Sequence, residues 1–269
     1  MLKVTLLWLL VPALLALLLA SPAAWAGRSC EARPLTVESL RDGLAMAEKT
    51  RQALDASGEQ VVLLARSGQD LSKYGLRYSH LGFAYRHSDG QGGHVWRVVH
   101  KLNFCGTADA DIYRQGLGEF FLDDPWRYEA AWVAPQADLQ QRLLPLLQDD
   151  AAVTRLHLRS YNMLSYPWST RYQQSNQWVI ETMAMAADTV VISRALAQAW
   201  LQSKAYEPTT LKLGAFTRLG ARITAANVAF DDHPNEKRFA DRIETVTVDS
   251  VFAWMRRSAL GKDAVALRL

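Results

Sequence analysis

The first 26 residues narrow most sharply what this chain can become. Lys3 gives a short positive start, an unbroken leucine-rich apolar stretch covers residues 4–20, and Ser21, Pro22 and the small-residue pattern Ala24-Trp25-Ala26 follow. This is the layout of a secretory signal peptide cleaved after Ala26. The rival is an uncleaved anchor, but the apolar stretch is near the lower limit for spanning a bilayer and runs directly into the cleavage pattern. A lipid-modified Cys30 is disfavoured because Arg28, two positions before it, does not fit a lipobox. The expectation is a periplasmic or secreted protein formed by residues 27–269. No second apolar run is long enough to cross a membrane.

That destination changes the reading of the two cysteines, Cys30 and Cys105. In an exported chain an even number predicts a disulfide. Closing this loop is worth roughly 4 kcal/mol on the chain-entropy model. The rival makes Cys105 a free nucleophile near His100, in a compartment where reactive thiols survive poorly. The net charge of +3 is small and its basic and acidic residues are interspersed, which excludes a nucleic-acid partner. Nine tryptophans in a chain close to half apolar are enough for a sizeable core.

Periodicity predicts one α+β domain over residues 27–269. Thr36 caps a helix over residues 35–56, with Leu40, Leu44, Ala47 and Leu54 at helical spacing and Gly58 as the stop. Strands are expected over residues 60–66, 78–86 and 95–103. The second and third form a hairpin across a turn containing Asp89-Gly90 and Gly92-Gly93. A further short strand falls at residues 132–134, a helix at 138–148, and an almost uniformly apolar, buried helix at 175–187. Ser193 caps another helix over 193–204. From Thr209 the pattern is β-like, with a late strand over 243–251.

Two imidazoles and a hydroxyl carry the site hypothesis. His80 and His100 stand on successive hairpin strands, where a suitable register puts them side by side on one face. The apolar helix starting at Ser175 is the expected cover for that face. A serine there lies at the positive end of the helix dipole, beside free backbone N–H groups able to hold an oxyanion. Ser175 as nucleophile, His80 as base and His100 as its orienting partner would follow the general triad logic.

The residues also carry a resemblance. Ser79-His80-Leu81-Gly82-Phe83 is similar to the "sHxGi" strand of the circularly permuted papain-like, NlpC-type superfamily, which includes lecithin–retinol acyltransferase-like proteins. His100 sits where that group has a second polar residue. Gln174-Ser175-Asn176-Gln177-Trp178-Val179 resembles its "NCxxFV" helix start, with Ser175 in place of the nucleophilic cysteine. The likeness spans about residues 61–187. Over its full length the chain more closely resembles a family of exported bacterial proteins of unknown function.

The resemblance implies a permuted papain-like fold, with a short antiparallel sheet on a buried helix. Its core would cover about residues 60–190, with additional N- and C-terminal helices and an extension over 191–269. It also implies an envelope hydrolase or acyltransferase acting on an amide or ester. The substrate would be a cell-wall peptide or a lipid-linked acyl group, and no cofactor would be needed. By their position around the start of the Ser175 helix, Tyr161, Arg171, Tyr172 and Trp178 are the candidate lining of a substrate groove, with core packing as the equal alternative for the aromatics. Serine is a weak nucleophile without a well-placed base. Two other readings of Ser175 therefore stay open: a vestige in a non-catalytic envelope protein that keeps the groove, or simply a helix cap. Residues 231–233 supply two carboxylates and His233. They read as a loop held by Pro234, or as metal ligands joining His80 and His100, although no metal motif is present.

Overall fold

The computed structural model describes residues 34–123 and 125–269. The expected signal segment and Cys30 lie outside the described residues.

Local chemistry sets the ends of the first helix, α1 (Val37–Ser57). Thr36 and Ser39 each hydrogen-bond the other's backbone N–H at 3.0 Å, which satisfies two donors that a helix start leaves unpaired. Gly58 ends the helix at φ 73°, a left-handed conformation that a Cβ would penalise. The chain then enters β1 (Val61–Ser67), β2 (His80–Ser88), β3 (His94–Asn103) and β4 (Ala110–Gly116). After α2 (Leu117–Leu122) comes β5 (Arg127–Val133). Helices α3 (Ala137–Gln148), α4 (Asp150–Thr154), α5 (Ser175–Ala187) and α6 (Arg194–Ser203) follow. The last part holds β6 (Thr209–Lys212), α7 (Ala215–Thr224), α8 (Asn235–Arg238), β7 (Arg242–Thr245), α9 (Val248–Arg257) and β8 (Val265–Arg268).

Six strands form one antiparallel sheet in the order β4-β3-β2-β1-β5-β8, and β6 pairs with β7 in a separate ribbon. The fold class is therefore α+β. Period-two alternation splits the side chains of the large sheet between two cores. Leu63, Leu81, Phe83 and Val99 pack with Trp178 and Met183 of α5, Leu143 of α3 and Trp254 of α9. Val62, Leu64, Ala84 and Val98 pack with Met46 and Leu54 of α1 and with Phe120 and Phe121 of α2. Because both faces are covered, the central strands are apolar on both sides. A third cluster joins Leu211, Leu213, Phe230 and Ile243 beneath α7.

The expected helix over 175–187 and the hairpin are present, and Ser193 caps α6 through the Leu196 N–H. Two expectations change. Residues 243–251 are not one strand: β7 ends at Thr245, and Thr247 with Ser250 closes a capping box that starts α9. Residues 215–224, within the stretch read as β-like, form the helix α7. Among the described residues no helix is long and apolar enough to cross a membrane.

Candidate functional site

The hairpin brings the two histidines together. His80 Nε2 lies 2.8 Å from His100 Nδ1, and His100 Nε2 lies 2.8 Å from Gln115 Oε1 on β4. The Gln115 oxygen can only accept, so His100 carries its proton on Nε2 and, as a neutral ring, offers a lone pair at Nδ1. His80 therefore donates from Nε2, leaving its Nδ1 with the lone pair. Burial, reinforced by the nearby Arg66 guanidinium, pulls the His80 pKa well below the usual value and that of His100 to about 4. Both rings are thus neutral near pH 7. Their cover is α2: the Phe120 ring is 6.0 Å from His80 and 5.4 Å from His100, and Arg66 lies over the same ring at 5.0 Å. Arg66 also donates to the Phe120 carbonyl and pairs with Asp123.

Ser175 is on the other side of the sheet. On β3, His100 shares parity with Trp96 and Val98, in the core under α1 and α2, whereas Lys101 shares parity with Val99, in the core under α5. Ser175 opens α5, is 5% exposed and donates a 2.7 Å hydrogen bond to the Lys101 carbonyl. The sheet separates this hydroxyl from both imidazoles, so the expected Ser175–His80–His100 triad is not assembled. Ser175 is not the helix cap either: Gln174 occupies that position. The reason is geometric. Successive strand residues point to opposite faces, and α2, rather than α5, occupies the histidine face.

The residues around Ser175 act as a bracket. Gln174 donates to Thr245 Oγ1 and to the Val246 carbonyl, and Asn176 donates to the same carbonyl. Ser165 Oγ accepts from the Gln174 N–H and donates to Gln177 Oε1. One turn further on, the Glu181 carboxylate is fully buried and accepts from Gln173, Gln177, Gln198 and, twice, Arg194, at 2.6–3.0 Å. Lys101 is also fully buried, with Nζ donating to Gln173 Oε1 and to the Leu158 carbonyl. Burial, then repulsion from Arg194, lowers its pKa to about 7. Sequence reading missed this network because Lys101, Gln173, Glu181 and Arg194 are far apart in the chain. A glutamate inside an otherwise apolar helix was the available signal.

The expected groove residues do not form one wall. Trp178 is fully buried against Phe83, with ring centroids 5.8 Å apart. Tyr161 is buried beside Ser175, and burial raises the pKa of its phenol. Arg171 and Tyr172 are at the surface, where Arg171 pairs with Asp231 at 2.8 Å and stacks on Tyr172. His233 is engaged at both nitrogens, to Asp232 and to the Glu244 carbonyl, each at 2.9 Å. Asp232 also accepts from the Tyr166 N–H. This cluster therefore staples loops together and does not meet His80 or His100. Among the described residues no three His, Cys, Asp or Glu side chains are grouped to hold a metal ion.

An open groove lies at the end of β1 where its pairing with β5 shifts register between Arg66 and Ser67. It encloses about 230 Å³ between the 69–77 segment and the start of β5. Arg77, Arg127, Arg268, Glu129 and Trp126 line it. Glu129 holds Arg77 at 2.7 Å and lies 3.8 Å from Arg268. Arg127 is exposed, and the Trp126 side chain is 53% exposed.

No curated protein and no solved structure gives a significant match to this chain. A family model described as "Uncharacterized protein conserved in bacteria (DUF2145)" matches residues 53–255, which include five of the six strands of the large sheet, the histidine pair and the α5 bracket. The chain belongs to that bacterial family.

Proposed function

We propose that the chain is a non-catalytic binding protein of the bacterial cell envelope. It is exported on its first 26 residues and cross-linked by Cys30 and Cys105. One observation carries this reading: Ser175 is sealed in a donor bond to the Lys101 carbonyl, across the sheet from His80 and His100. A hydrolase or acyltransferase would need that hydroxyl to meet a base, and each polar side chain of the helix start is already engaged in holding α5 to its neighbours.

The groove at the end of β1 is the binding site on this reading. Its exposed guanidinium, Arg127, suits a carboxylate, and the open face of Trp126 suits the apolar part of a peptide. A cell-wall peptide with a free carboxyl end has that chemistry. The test combines two measurements. Calorimetric titration with soluble cell-wall peptides, carboxyl ends free or amidated, should give binding of the free form only, weakened ~10-fold by Arg127→Ala, as expected for the loss of one charge-assisted contact. A fluorophosphonate probe should label neither wild type nor Ser175→Ala. Labelling of wild type that disappears in Ser175→Ala would reinstate the enzyme. Equal affinity for both peptide forms would reject the groove.

A further inference from the structure

Helix α7 departs from the usual economy of a surface helix. An amphipathic helix turns its apolar stripe to the core and its charges to water. In α7 the apolar stripe faces outward: Phe216 is 91%, Leu219 57% and Ile223 76% exposed, and none of the helix's ten residues is buried. Their spacing of three and four residues puts them on one face, and the surface near Gly220 on that face is open. The helix is held from behind by Ala221, in the cluster with Leu211 and Phe230, and by Arg218, which pairs with Asp241 at 2.6 Å. Phe239, two residues before Asp241, is a further apolar side chain left 70% exposed in this part of the chain.

The stretch from β6 through α7 is basic: residues 212–224 carry Lys212, Arg218 and Arg222 and no acid. Lys212, Arg222 and Arg242 are exposed, and Lys212 and Arg242 are paired neighbours across β6 and β7, just before α7 begins. Arg238 lies over the Phe239 ring at 4.9 Å. Of the acidic groups in this region, Asp241 is paired with Arg218 and Glu244 with Lys237 at 2.6 Å, while Glu236 is exposed. A patch of phenylalanine, leucine and isoleucine ringed by cations is the composition of a helix lying in a membrane interface: the apolar stripe enters the acyl boundary while the cations meet anionic headgroups. A protein partner would have to match the same patch with an apolar, acidic surface. A lipid leaflet offers both features at once and imposes no shape.

We infer that the exposed face of α7 forms a docking surface for an anionic lipid leaflet. The site is independent of the groove at β1. The experiment is co-sedimentation of the protein, without residues 1–26, with vesicles of phosphatidylcholine alone or containing a third phosphatidylglycerol. Binding should require phosphatidylglycerol and weaken as salt rises. Phe216→Ser combined with Ile223→Ser should lower the partition coefficient ~10-fold or more. Arg222→Glu combined with Arg242→Glu should lower binding to the phosphatidylglycerol vesicles. These side chains are exposed, so an unchanged thermal melt establishes that each variant is folded. Absence of binding to phosphatidylglycerol vesicles would overturn the inference, as would equal partitioning of the serine variant. Self-association of wild type through this face, removed by the serine variant and accompanied by no lipid binding, would also overturn it.

Discussion

Glu181→Ala should be among the most damaging single substitutions in this protein. The carboxylate is fully buried and accepts five hydrogen bonds, from Gln173, Gln177, Gln198 and both Nε and Nη2 of Arg194. Removing it leaves a guanidinium that is itself almost entirely buried with no counter-charge, and breaking one partner of such a pair costs about 3–5 kcal/mol. Three side-chain amides also lose an acceptor, at about 1–3 kcal/mol for each that cannot re-pair. These costs overlap, because Gln173 keeps its bond to the Leu156 carbonyl and Arg194 keeps its bonds to the Thr170 and Tyr172 carbonyls. A loss of about 4–6 kcal/mol is the working expectation, a large share of the 5–15 kcal/mol typical of a whole domain. Glu181→Gln should cost nearly as much, since its NH₂ would face donors. Glu181→Met combined with Arg194→Met should recover much of the loss, because no buried charge is then stranded. Urea unfolding followed by far-ultraviolet circular dichroism at pH 7 measures all three. A Glu181→Ala loss under about 1 kcal/mol would refute the account of a carboxylate that organises this core.

Other outcomes follow from the same coordinates. The unfolded His100 takes up a proton near pH 6.5, whereas the folded one resists until about pH 4, so its contribution is present above 6.5 and is lost as pH falls towards 4. The expected loss is on the order of 3 kcal/mol, and denaturant melts at pH 7 and pH 4.5 should show a smaller acid loss for His100→Gln than for wild type. Gly82→Ala should lower stability by about 1–3 kcal/mol, because a Cβ there would lie 2.9 Å from His100 Cβ and 3.1 Å from the Val99 carbonyl; a melt indistinguishable from wild type would contradict the close β2–β3 packing. If Cys30 and Cys105 are bonded, Cys105→Ser should cost about 4 kcal/mol, and mass spectrometry of the intact unreduced protein should find no thiol to alkylate.

Much of the fold is legible in the sequence wherever a local rule acts alone. Thr36, Gly58 and Ser193 mark helix ends by hydrogen-bond chemistry within a few residues, and the 175–187 helix is bounded by its own apolar run. Legibility fails where two rules compete. Residues 243–251 are rich in β-branched side chains, which hides the Thr247 and Ser250 capping box inside an apparent strand. The strand β4 lies at an edge of the sheet and carries Asp111, Arg114 and Gln115, so it shows no apolar alternation. The site failed for a related reason. The hairpin pairing of His80 with His100 could be read from alternation, but in a sheet buried on both faces the pattern does not say which helix covers which face. Arg66 and Gln115, which complete the histidine environment, come from the two flanking strands: Arg66 stands opposite His80 on β1, and Gln115 lies on β4 beyond an unforeseen turn.

The position of Ser175 also yields a test that does not depend on knowing any ligand. If the helix start differed from a papain-like site only by one atom, Ser175→Cys would restore a reactive thiol. The coordinates argue otherwise. Thiolate formation requires a nearby base or positive field and access to reagent. Here the side chain faces the Lys101 carbonyl, an acceptor that disfavours an anion, within a buried bracket of hydrogen bonds. Reaction would have to wait for α5 to lift from the sheet, and Trp178, Ile180 and Met183 anchor it there. A core element of this kind opens at close to the global free energy, so the native thiol should react with iodoacetamide at least ~10²-fold more slowly than the urea-unfolded one. His80→Ala should leave that rate unchanged. Fast alkylation of the native thiol, slowed by His80→Ala, would mean that hydroxyl and imidazole do share a cleft, and would refute the placement of α5 across the sheet from the histidines.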